Sequence, residues 1–132
     1  MALQVPPACD LTLGLVCVDK SRPGLTVWTM TADERFANPA GIMQGGFLSA
    51  CADSAMGASA VTSLKGRKAS VSNAEMKLTF LRPVTTGSRL TCTAEVLSAG
   101  RSVIFVSASI VDDAGREVAR ASSSYVVRDR NH

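Results

Sequence analysis

Apolar and polar residues alternate along most of this chain, and the alternation breaks once, over residues 45–64. Residues 11–19 (LTLGLVCVD) and 24–32 (GLTVWTMTA) carry the every-other-residue pattern of strands. Ser21-Arg22-Pro23-Gly24 between them is turn chemistry, so the pattern predicts a hairpin. Residues 33–43 read as a loop around Asn38-Pro39-Ala40-Gly41. After residue 68 the alternation returns. Strands are predicted at 69–81, with Met76, Leu78 and Phe80 on one face, and at 89–98, 102–111 and 117–127. The turns between them fall at Thr85–Ser88, Ala99–Arg101 and Asp112–Gly115.

The break is a helix. Residues 45–64 hold no proline, and twelve of the twenty positions are Gly, Ala or Ser. Small residues nearly all round predict a helix that is packed closely on most sides rather than a surface amphipath. Lys65-Gly66-Arg67-Lys68 ends it, with cations at the negative end of the helix dipole. The order β-β-α-β-β-β-β, one long helix against one antiparallel sheet, is an α+β two-layer domain. Residues 1–10, with Pro6-Pro7, read as a flexible lead-in, and 11–132 as a single domain.

Composition narrows the chemistry. Fourteen Lys and Arg against eleven Asp and Glu leave a charge of +3, too weak a balance to argue for nucleic acid. One Trp, one Tyr and four Phe are too few for a base-stacking surface. The single histidine is the last residue, His132, which disfavours a histidine base, a catalytic triad or a His-ligated metal. Cys9, Cys17, Cys51 and Cys92 have no C-x-x-C spacing, and without a secretory signal they read as reduced, buried thiols of a cytoplasmic protein. No stretch reads as a membrane span.

Asn38-Pro39-Ala40-Gly41-Ile42-Met43-Gln44-Gly45-Gly46, with Asp53 seven positions after Gly46, resembles the core signature of PaaI-like hotdog-fold thioesterases. Phe80-Leu81-Arg82-Pro83 resembles that family's third-strand exit, and Gly100-Arg101-Ser102 its turn before a late strand. The resemblance covers residues 11–127. It implies a hotdog fold, in which the antiparallel sheet wraps the central helix, and hydrolysis of an acyl-coenzyme A thioester to free acid and coenzyme A. It implies a homodimer that pairs into a tetramer, and no cofactor beyond the coenzyme A of the substrate. The family's histidine before Gly-Gly is Gln44 here. Glutamine donates and accepts hydrogen bonds but exchanges no proton near neutral pH.

The residues themselves carry the same chemistry. Asp53 is the only charged residue between Arg35 and Lys65. An unpaired carboxylate in so apolar a helix is costly, so a cleft-facing role outweighs that of a solvated or capping aspartate. It would attack a thioester carbonyl directly or deprotonate a water that does. Gly45 and Gly46 open the helix, where amides lack internal partners and favour negative charge, which suits a carbonyl becoming an oxyanion. The bland alternative is a plain Gly-Gly turn. Asp53 lies eight residues past Gly45, about 12 Å along the axis at ~1.5 Å per residue. One carbonyl cannot meet both in one chain, so the site is expected to be shared: Asn38, Gln44 and Gly45 from one subunit, Asp53 from the other. Asn38 would orient water or hold the carbonyl, or else simply form a turn before Pro39. Gly46 and Asn73 are candidate substrate contacts, and Arg67, Lys68, Arg82, Arg101 and Ser102 candidates for the coenzyme A phosphates. Met43, Phe47, Met56 and Phe80 are core residues first and an acyl pocket second. The rival of another class is a non-catalytic hotdog module that binds acyl-thioesters or partners. A hotdog dehydratase would need a histidine beside an acid.

Overall fold

The central helix has its own stop and its own one-sided pattern. The computed structural model describes residues 5–130, so His132 lies outside it. In chain order the elements are α1 (Ala8–Leu13), β1 (Val16–Arg22), β2 (Leu25–Thr31), a 3₁₀ turn at Glu34–Phe36, α2 (Gly45–Thr62), β3 (Ala69–Phe80), β4 (Arg89–Ala99), β5 (Val103–Val111) and β6 (Glu117–Asp129). Beyond Thr62 the backbone enters the left-handed region at Lys65 (φ 52°) and Gly66 (φ 83°), which halts the helix. The six strands form one antiparallel sheet in the order β1-β2-β4-β5-β6-β3. The sheet packs along α2 through β2, β3, β4 and β5. This is the hotdog architecture.

α2 buries Leu48, Cys51, Ala52, Ala55, Met56, Ser59 and Ala60, a repeat of three and four residues that marks one face. Its apolar residues share one buried core with Met30, Leu90, Cys92, Ile104, Val106 and Ile110 of the sheet. Burial all round is therefore not met within one chain. The sheet covers one side of α2, and Gly46, Asp53 and Val61 are exposed on the other. One polar cluster ties helix to sheet. Trp28 Nε1 donates to Thr26 Oγ1 (2.8 Å), Thr26 and Ser59 hydroxyls meet at 2.7 Å, and Ser59 Oγ donates to the Ala94 carbonyl (2.9 Å).

The first expected strand starts late. Residues 8–13, straddling the expected lead-in, form α1, and β1 begins at Val16. Leu11 and Leu13 alternate like a strand, but Gly14 at φ 68° closes a helical turn by donating to the Leu11 carbonyl (3.2 Å). α1 is held to α2 by the buried Asp10, whose Oδ1 accepts from Ser54 Oγ at 2.7 Å. The expected apolar face of β3 is also only partly covered. Met76 and Leu78 are half-buried and Phe80 is exposed, because β3 is an edge strand paired on one side only. Two thiols depart from expectation: Cys51 and Cys92 are buried, Cys17 is half-buried and Cys9 is exposed. No helix among the described residues is long and apolar enough to cross a membrane.

Candidate functional site

The loop ahead of α2 is built on Asn38. Its Oδ1 accepts from the amides of Ala40 (2.9 Å) and Ile42 (3.1 Å), and its backbone N–H donates to the Ile42 carbonyl (2.8 Å). Both acceptor positions of Oδ1 are spent on the turn, so only the Nδ2 group is left to hold a substrate carbonyl. Gln44 is fixed by its backbone: its N–H donates to the Phe36 carbonyl (2.8 Å), and it takes the N-cap position of α2 in extended conformation. Its side chain is exposed and caps nothing. The first amides of α2 are thus free of a side-chain cap and carry the positive end of an 18-residue helix.

A cavity of about 330 Å³ opens beside Gly45, lined by Met43, Leu48, Phe80 and Arg82 among others, and mostly apolar. Met43 and Leu48 form its floor from the core, and the Phe80 ring lies directly on Gly45. Arg82 Nη1 donates to the Glu117 carbonyl, which holds the guanidinium at the rim. The strand-exit motif therefore meets the helix start as a single site, and Phe80, read as core, is instead an exposed wall of it.

Other candidates lie elsewhere. Asp53 is exposed on the uncovered face of α2, outside this cavity, and no cation pairs with it among the described residues. Gly46 is exposed at the first turn. Arg101 lines a second cavity of about 240 Å³ with Arg67, next to Ser63 and Leu64 at the far end of α2. An 18-residue helix puts that end about 27 Å from Gly45. Asp129 pairs with Arg67 at 2.8 Å and with Arg101 at 3.8 Å, and Arg101 remains largely exposed. Ser102 is exposed, and its carbonyl accepts from Val127 N (2.8 Å).

Asn73 faces Tyr125 across the β3–β6 ladder, beside a bulge that ends at Glu75. Its Nδ2 donates to Ser123 Oγ (2.9 Å), which donates in turn to the Glu75 carbonyl (2.9 Å). Tyr125 is 2% exposed, and its hydroxyl has no hydrogen-bond partner. Burial pushes its pKa up; Asn73 and Ser123 pull against that, and the charge of Asp53 adds to it. Tyr125 and Gly57, the residue above its hydroxyl, escape the sequence reading. A lone tyrosine in a late strand and a glycine in mid-helix were the available signals.

The thioesterase superfamily model matches residues 40–119, from the Asn38 loop into β6. The PaaI protein of the E. coli phenylacetic acid degradation operon superimposes with a TM-score of 0.84 at 26% identity, over 90% of this chain and 83% of that one. A putative thioesterase from Ralstonia eutropha JMP134, a phenylacetic acid degradation-related protein, gives a TM-score of 0.82 at 32% identity, over 91% and 89%. A hypothetical thioesterase of Streptococcus pneumoniae TIGR4, solved with coenzyme A, shares the fold with a TM-score of 0.80 at 20% identity, over 89% and 88%. No curated protein matches the chain.

Proposed function

The chain belongs to the thioesterase superfamily, as a PaaI-like hotdog thioesterase, and from that premise we propose that it hydrolyses acyl-coenzyme A thioesters at a site shared by two protomers. The observation that carries the reading is the uncapped start of α2 opening onto an apolar cavity beside Gly45. An acyl group fits that cavity, and its thioester carbonyl then lies against the Gly45 amide. Gln44 and the Asn38 Nδ2 group, in the loop ahead of α2, are the candidates to donate to the same carbonyl.

Asp53 of the opposing protomer supplies the base. It lies about 12 Å along the helix from its own Gly45, too far for one carbonyl to touch both. An antiparallel partner helix packed on the small, uncovered side of α2 closes that gap. As a base, Asp53 takes a proton from water while the water oxygen bonds to the carbonyl carbon. The oxyanion collapses, the C–S bond breaks, and the coenzyme A thiolate takes the proton back. As a nucleophile, it forms an acyl anhydride, releasing the thiolate, and water then cleaves the anhydride. Neither route calls for a metal or redox cofactor. Asn73, on the edge strand β3 opposite Tyr125, is the candidate to hold the attacking water. Arg82 at the cavity rim, and Arg101 with Ser102 brought from the partner's far helix end, are the candidates for the phosphates. The same fold accommodates coenzyme A in the S. pneumoniae protein.

The test is a panel of acetyl-, octanoyl- and phenylacetyl-coenzyme A with thiol detection, run on the wild type and Asp53→Asn. Loss of a proton-transfer group predicts a fall in kcat of about 10²- to 10⁴-fold. Unchanged turnover would remove Asp53 from the mechanism, and a wild type that binds these thioesters without cleaving them would mark a binding module. Mixing Asp53→Ala with Gly45→Val chains tests the shared site. Heterodimers that regain no activity count against it.

A further inference from the structure

Two features of the α2–β6 contact have no explanation within one chain. Tyr125 Oη is buried without a hydrogen-bond partner, an arrangement that normally carries a penalty. The neighbouring polar groups bond to each other and to the backbone: Asn73 Nδ2 donates to Ser123, and Ser123 donates to the Glu75 carbonyl. Directly above the hydroxyl is Gly57. A β-carbon there would meet only Tyr125 Oη, at 3.7 Å, which is ordinary contact. Alanine would fit and favour the helix over glycine, so nothing inside the chain calls for glycine at this turn. Gly57 is four residues after Asp53, on the same helix face, where side-chain positions are about 5–6 Å apart.

We propose that Tyr125 is a positioning residue for hydrolysis: across the gap left by Gly57 its hydroxyl donates a hydrogen bond to the Asp53 carboxylate when the opposing protomer covers that face. This rests on the reading of Asp53 as the base or nucleophile. The Asp53 charge raises the pKa of the phenol, the direction an anion on that helix face gives. The bond holds the carboxylate in one orientation toward the incoming carbonyl and gives the buried hydroxyl the partner it lacks.

Tyr125→Phe and Gly57→Ala test it, each assayed with the fastest acyl-coenzyme A of the panel and checked for oligomeric state and Tm. Tyr125→Phe deletes a hydroxyl unpaired in the single chain, and Gly57→Ala adds a methyl group in the gap, so both keep the fold. Each should lower kcat roughly tenfold with KM within about twofold. The double variant should be no slower than the slower single variant, because both changes remove one bond. Wild-type kcat in either variant, a loss confined to KM, or losses that multiply in the double variant would overturn the proposal. Failure of the underlying reading registers separately, as full turnover by Asp53→Asn.

Discussion

The Phe80 ring lies so close over Gly45 that a β-carbon at residue 45 would stand 2.6 Å from Phe80 Cζ and 2.9 Å from Cε1. The ring belongs to the end of an edge strand and the glycine to the first turn of α2. Their contact shuts one side of the cavity, and no side chain caps the helix start by a hydrogen bond. Only a residue without a β-carbon lets the aromatic wall and the helix start meet in this way.

Gly45→Ala separates steric from chemical roles at that contact. The clashing atoms are the far end of a side chain that is 55% exposed, so the ring can swing away and the protein should fold with its Tm nearly unchanged. Turnover should still fall by about 10²-fold, because the methyl group stands where the developing oxyanion approaches the amide. Phe80→Ala alone should widen the cavity and change the preference within the acyl panel more than kcat on its best member. Adding Phe80→Ala to Gly45→Ala should not restore kcat. Recovery in the double variant would show that the displaced ring, and not the blocked amide, caused the loss.

Asn38 offers a similar separation. Its Oδ1 organises the loop through Ala40 and Ile42, while its Nδ2 group is outside those two bonds. Asn38→Ala removes both functions, and the lost hydrogen bonds should cost about 1–2 kcal/mol in urea unfolding as well as activity. Asn38→Asp keeps the two acceptor contacts, replaces the donor by an acceptor and adds a negative charge in the loop. It should retain stability within about 0.5 kcal/mol while losing kcat, as removal of one carbonyl donor requires. A fully active Asn38→Asp enzyme would reduce Asn38 to a loop residue.

Local signals carried most of the architecture. Turn chemistry at Thr85–Ser88, Ala99–Arg101 and Asp112–Gly115 and the small-residue run before Lys65 placed four strands and the helix, because each depends on neighbours in sequence. The first turn misled: Leu11 and Leu13 alternate, and only the positive φ of Gly14 decides for a helix. The contacts that shape the site could not be read in this way. Phe80 on Gly45 and Tyr125 beneath Gly57 arise from the sheet order, which carries β3 past β4 and β5 to pair with β6 at the edge. The same order leaves the far side of α2 open, so its small residues, read as buried all round, show one covered face and one face free for another protomer.

The β5–β6 turn should respond to acid through Asp112. Its Oδ1 accepts from Arg116 N (2.9 Å) and Ala114 N (3.0 Å), and its Oδ2 from Arg116 Nε (3.0 Å). The Arg116 amide above all, helped by the Arg116 side chain and the Ala114 amide, holds the carboxyl below its ordinary range. A folded-state pKa below the unfolded one means that the stabilisation is fully present above the unfolded value, about 3.9 for aspartate, and is lost as pH falls through the folded value. Asp112→Asn keeps an acceptor for the two amides and removes the titrating charge. In urea unfolding between pH 7 and pH 2.5, the two proteins should run parallel above about pH 5. Below about pH 4 the wild type should lose stability faster than the variant. Curves that stay parallel to the lowest pH would mean that the charge on Asp112 contributes nothing to the turn.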